Sequence, residues 1–274
     1  LSIAVTVVCI VLLYTAVGEE PKFTHSQAKM PAVKLLSNRN LLLMNISNFM
    51  QKMLMSAAFI VIPIAIVKYF GMDKKDLSGI YSVATVFGFI AMGIGGAIGE
   101  TKRITKQILV IGVSLFVVCY GLFALSLGHK PLFYAGVIIF FIGFNLHEPI
   151  LQSMASKFSK VSQKGAVLGI FNAFGYMGSF IGGIGGGTLL KFYGLSALSA
   201  VVTVLCVVWL IALKWLDNPN IFKNIYLPSD TDADLAEIEK QKGVVECYKN
   251  AQNLVVKYNS KLTNEAEIKR ILGV

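Results

Sequence analysis

Residues 131–154, PLFYAGVIIFFIGFNLHEPILQSM, decide how the chain is read. The run is apolar over a length that suits a helix crossing the hydrocarbon core, which takes about 20 residues. Yet it carries Asn145, His147, Glu148 and Gln152 in its second half. A charge at that depth costs roughly 2.5–3.5 kcal/mol even on the lenient insertion scale, so such residues face a bundle interior or a water-filled path. The stretch predicts a membrane span with a working face.

Similar runs surround it, at about 41–70, 77–99, 105–127, 163–190 and 195–216, with a shorter one at Leu1–Val17. The expected architecture is an all-α membrane bundle of six helices over 41–216, followed by a small α+β domain over 217–274. Residues 1–17 read as the end of a further helix that begins upstream. Residues 18–40, with two prolines and mixed charge, read as a linker with room for a surface helix. No basic leader or cleavage site marks 1–17 as a signal peptide.

Composition agrees. Of 274 residues, 55% are hydrophobic and 15% charged, with mean hydropathy +0.67, against roughly 25% charged in soluble proteins. The net charge of +10 invites a nucleic-acid reading. However, residues 214–274 hold nine basic and nine acidic side chains, so the surplus lies wholly in the apolar part. There it signals sidedness, and no nucleic-acid partner is expected. Loops carrying Lys22, Lys29, Lys34 and Arg39, then Lys102, Arg103 and Lys106, then Lys157, Lys160 and Lys164, fall on one side. The positive-inside rule makes that side cytoplasmic and puts the tail there too. Cys9, Cys119, Cys206 and Cys247 are scattered singly, which supports neither a disulfide framework nor a zinc site.

In the tail, Ile221–Leu227 alternates like a strand and Asp232–Lys242 reads as a helix ended by Gly243. Val244–Lys249 and Leu254–Tyr258 read as a strand pair, and Thr263 as the cap of a last helix, Glu265–Leu272. The order β-α-β-β-α suggests a ferredoxin-like module. Asp230, Asp232 and Asp234 imitate the start of a calcium loop. Leu235 then stands where glycine is needed and Gln241 where glutamate is, so acidic residues suiting a helix dipole explain them better.

Polar residues inside spans carry the functional signal. Asn45, Asn48 and Lys52 share a face of the first full span, and Glu148 and Gln152 a face of the span 131–154. His147 points about 100° away from Glu148. Lys52 and Glu148 on opposite walls of a path would form a proton-responsive pair; the plainer alternative is a structural ion pair. His147 is equally a packing residue. Gly178, Gly182 and Gly186, four apart, let helices approach closely. They read either as static packing or as a sliding surface against another half. Ile98 and Thr188 break any GxGxxG pattern, HExxH is absent, and no Ser/His/Asp set or Walker sequence occurs. An enzyme, a metal site and a cofactor are not expected.

Three segments resemble a known family. Gly96-Ala-Ile-Gly-Glu100-Thr-Lys102-Arg103-Ile-Thr-Lys106 resembles the loop signature of major facilitator transporters, in the looser copy found between their eighth and ninth helices. Phe144-Asn145-Leu-His-Glu148-Pro149-Ile-Leu151, with Ser153 through Lys157, resembles their tenth helix, with Gln152 in place of the usual proline. Gly165 through Gly187 resembles the eleventh helix of their drug:proton antiporters. The small tail narrows the resemblance to YajR-type transporters. In these the seventh helix carries a histidine at or next to the place of Lys52, ahead of Phe59 and Pro63.

The resemblance implies helices seven to twelve plus the end of the sixth, in a proton-coupled efflux antiporter of the bacterial inner membrane. Its partners would be the lipid bilayer, a small-molecule substrate, protons, and the N-terminal half of the same protein upstream of Leu1. Asn45, Asn48, Lys52, Asn145, His147, Glu148 and Gln152 would serve the cavity or proton coupling, and Gly96, Glu100 and Arg103 the conformational loop. The helices 77–99 and 163–190 would pack against the other half. The rival readings are a membrane-anchored sensor acting through its tail and a uniporter or importer of the same fold.

Overall fold

A computed structural model describes residues 2–16, 24–25, 35–73, 75–229 and 234–272. The chain forms two compact units, Lys29–Asn220 and a second made of Leu1–Ala28 with Ile221–Val274.

In the second unit, α1 (Ser2–Ala16) holds 15 residues, about 22 Å of helix, short of the roughly 30 Å hydrocarbon core. The first unit consists of α2 (Arg39–Lys68), α3 (Asp76–Thr101), α4 (Thr105–Leu125), α5 (Lys130–Phe158) and α6 (Lys164–Ala212). Asn38 caps α2 by accepting from the main-chain N–H groups of Asn40 and Leu41, two donors the first turn cannot satisfy itself. Pro131 starts α5, where its missing N–H costs nothing.

Five helices among the described residues are long and apolar enough to cross a membrane. The last corresponds to the two expected spans 163–190 and 195–216, which run on as one 49-residue helical segment. At 1.5 Å per residue a straight helix of that size would reach about 74 Å, more than twice the hydrocarbon core. Gly194 interrupts it with φ +80 and ψ 179, a conformation open to glycine and costly for other residues. The break therefore yields two span-length pieces without a loop.

Small residues set the packing. Gly178 and Gly182 lie against the main chain of Phe49 and Met53 on α2, and Gly186 against Ala57. Lipid gives helices no hydrophobic reason to associate, so close backbone contact must supply it. The stripe is used inside the unit, against α2. The stripe on α3 does the same, with Gly88 facing Asn145, Gly95 facing Leu146 and Gly99 facing Ile150. Tyr176, Phe180 and Ile184 on α6, and Val86, Phe89 and Ile90 on α3, remain exposed.

Polar contacts tie the helix ends. Arg39 pairs with Asp217 at 2.9 Å, and Asn40 both donates to the Asp217 carboxylate and accepts from its main-chain N–H. Lys106 donates to the carbonyl of Leu216, and Asn220 to that of Arg103 at 2.6 Å. Deeper, the Trp209 indole donates to Ser47 at 3.0 Å.

The tail follows the expected order, with β2 (Phe222–Pro228), α7 (Leu235–Lys240), β3 (Val244–Lys249), β4 (Asn253–Asn259) and α8 (Glu265–Leu272). Alternation on β2 buries Ile225 and Leu227, which meet Ile238, Cys247, Leu254, Val256, Tyr258 and Ile268 in one core. Three findings differ from the expectation. The helix α7 is shorter than 232–242 and is capped by Asp234, while Asp230 and Asp232 lie outside the described residues. The cap of α8 is Asn264, which accepts from the Glu267 N–H; Thr263 instead donates to the Glu267 side chain. Finally, a two-residue strand from the expected linker, β1 (Thr24–His25), joins the sheet, whose order is β1-β3-β4-β2, all antiparallel. A two-residue strand leaves no periodic pattern to read. The expected linker, residues 18–40, otherwise falls mostly outside the described residues.

Candidate functional site

A cavity of about 250 Å³ opens between α2, α5 and α6. Helical spacing places its walls: Asn48, Gln51, Lys52 and Met55 lie at i, i+3, i+4 and i+7 on α2, and Glu148, Leu151 and Gln152 repeat the pattern on α5. From α6 come Phe171, Asn172, Gly175, Tyr176 and Ser179.

At its centre the Lys52 ammonium stands 3.0 Å from both carboxylate oxygens of Glu148. The side chains keep 24% and 37% of their exposure, so the pair is open to the cavity. Gln51 donates to Glu148 Oε2 at 3.1 Å and to the Phe144 carbonyl at 3.3 Å, and the Phe144 ring lies 5.4 Å below the ammonium. Asn48 donates to the Phe171 carbonyl at 2.7 Å. Gly175 makes this possible, since a β-carbon there would come 2.6 Å from Asn48 Nδ2 and 3.3 Å from Lys52 Cγ. Next to Glu148, Pro149 removes one helical hydrogen bond from α5.

Asn145, His147, Glu148 and Gln152 of the 131–154 run divide three ways. Glu148 and Gln152 line the cavity. Asn145 bonds the Phe141 carbonyl of its own helix and lies against Gly88 of α3. His147 is fully buried on the α4 side, its Nε2 2.9 Å from the Leu109 carbonyl and its ring between Phe116 and Trp209. Gly112 leaves the room for it. Turns of 100° per residue send neighbours to different helices. On α2, Asn45 shares the face of Lys52 but sits two turns away, about 10 Å along the axis, and is buried outside the cavity.

The loop signature makes its own contacts. Glu100 accepts from Ser153 at 2.6 Å and pairs with Lys157 at 2.5 Å, which links the ends of α3 and α5. Arg103 takes φ +56 in the tight turn between α3 and α4 and offers its carbonyl to Asn220. Gly96 lies 3.8 Å, by its would-be β-carbon, from Pro149.

Gln51, Asn172, Gly175, Tyr176 and Ser179 escape a reading centred on charges. Counting three and four residues from Asn48 and Glu148 would have found Gln51; Gly175 looks like any other packing glycine. Chemically, the cavity offers one cation and one anion that neutralise each other, amides able to donate and accept, and aromatic edges.

The sequence is similar to that of known membrane transporters. The family model described as Major Facilitator Superfamily matches residues 1–181 and 106–244. The chain is 31% identical over 180 residues to an uncharacterized transporter of Buchnera aphidicola subsp. Baizongia pistaciae (strain Bp), covering 65% of this chain and 45% of that protein. It is 25% identical over 246 residues to the inner membrane transport protein YajR of Escherichia coli (strain K12), covering 87% of this chain and 54% of that protein. The chain thus spans about half the length of these relatives.

Proposed function

This chain belongs to the Major Facilitator Superfamily, and from that premise we propose that it is the C-terminal half of a proton-coupled efflux antiporter. The Lys52–Glu148 cavity forms one wall of the translocation path. The single observation that carries the reading is an ion pair left partly open inside a polar cavity between three apolar helices. A proton on Glu148 dissolves the pair and frees Lys52; loss of the proton restores it. Coupling of that change to rocking of two six-helix halves gives alternating access.

The positive loops put the ends of α3 and α5, and the ferredoxin-like tail, on the cytoplasmic face of a bacterial inner membrane. There the Glu100–Lys157 pair holds two helix ends together in one of the two alternating states. The tail serves a docking or regulatory role.

The test is solute flux in liposomes carrying the full-length transporter, under an imposed pH gradient. Glu148→Gln is expected to make solute flux insensitive to the imposed pH gradient. Unchanged gradient-driven flux would falsify the coupling role.

A further inference from the structure

The cavity's charge pattern also restricts what it accepts. Lys52 and Glu148 contact each other at 3.0 Å and both stay open to the space beside them. A solute with one positive charge would take Glu148 and leave the lysine without its counter-ion. A solute with one negative charge would strand Glu148 in the same way. At this partly shielded site a charge left without its partner is disfavoured, by less than in a fully buried one. A neutral apolar solute would have to leave the pair intact and would also cover the amides of Gln152 and Asn172. These two hold no hydrogen bond among the described residues and lose water with no replacement.

A solute with both charges avoids each cost. We propose that the solute is a small zwitterion of amino-acid size, its carboxylate on Lys52 and its ammonium on Glu148, with Gln152 and Asn172 as hydrogen-bonding partners. The cavity of about 250 Å³ is large enough to take a short amino acid. This assignment rests on the cavity being the substrate site.

Three probes of equal chain length separate the possibilities: γ-aminobutyrate, butylamine and butyrate, titrated calorimetrically at pH 7 into the purified chain in detergent. γ-Aminobutyrate is expected to bind at least tenfold tighter than either singly charged probe. Lys52→Gln should drop it to the level of butylamine, and Glu148→Gln to the level of butyrate. This crossed pattern is one that general unfolding does not produce, and the wild-type ranking needs no variant at all. Equal binding of the three probes, or none, overturns the assignment. If butylamine ranks first and is driven by a pH gradient in the flux assay, the zwitterion fails and the antiporter stands. If γ-aminobutyrate ranks first but no flux responds to pH, the antiporter fails and the site's ligand class stands.

Discussion

Gly182 of α6 sits directly on the carbonyl group of Met53 in α2, with no room between them for a β-carbon. The obstacle is main chain, which cannot rotate aside as a flexible side chain would. Gly182→Ala should therefore push the two helices apart and destabilise the unit by about 1–3 kcal/mol or more, the usual cost of overpacking. Gly185, three residues on, has nothing within 4 Å of its would-be β-carbon. Gly185→Ala should be neutral or stabilising by up to about 1 kcal/mol, the helix-propensity gain. Thermal unfolding of both variants in detergent checks the contrast, and equal melting temperatures would refute the packing role.

Lys52 and Glu148 should behave as a unit in stability as well. Lys52→Gln and Glu148→Gln each strand one charge, at an expected cost of about 1–2 kcal/mol. That figure lies between the values typical of exposed and of buried pairs, because the side chains keep 24% and 37% exposure. The double variant should recover most of the loss. A double-mutant cycle that shows additive effects would mean the pair carries no coupling.

At the far ends of α3 and α5, Glu100→Gln removes one carboxylate contact of the Lys157 ammonium. Ion pairs of this exposure are worth about 0.2–1 kcal/mol. Modification of Lys157 by an amine reagent should accelerate about 1.4- to 5-fold, the same energy expressed as a ratio. Mass spectrometry of labelled peptides reads it directly. An unchanged rate would show that Glu100 does not restrain this lysine.

Burial pushes the Cys247 thiol up to about 12, against about 8.5 for a free cysteine. The folded tail thus holds a proton that the unfolded chain releases, so stability must fall as pH rises from about 8.5 towards 12. Cys247→Ala should flatten that alkaline limb in pH-dependent unfolding. At pH 8 a maleimide should spare Cys247 until denaturant is added. Rapid labelling of Cys247 in the folded chain would contradict its place in the core.

Most elements were legible because each leaves a local trace. The apolar runs predict helices through the length a bilayer imposes, and alternation from Phe222 to Pro228 predicts a strand with one covered face. The strand at Thr24–His25 was not legible, since its only reason to exist is pairing with Tyr248 and Lys249, more than two hundred residues away. The cap of α8 was misplaced by one residue because Thr263 and Asn264 are both good caps, and tertiary contacts chose between them. The site was half legible. Lys52, Glu148, Asn48 and Gln152 declare themselves as polar groups in apolar runs, whereas Asn45, Asn145 and His147 satisfy the same criterion and lie elsewhere.

By itself the sequence determined that the chain carries helices long and apolar enough to cross a membrane, that its basic residues concentrate in alternate loops, and that Lys52 and Glu148 lie in apolar runs where a charge is costly. Those conclusions depend only on residue identity and spacing, because transfer energy and helical period are local properties. Tertiary structure alone decided that Lys52 meets Glu148, that Asn145 and His147 serve other helices, and that the glycine stripe of α6 is spent on α2. Each depends on helix rotation and crossing. These are set by where backbones can touch, at Gly178, Gly182 and Gly186 above all.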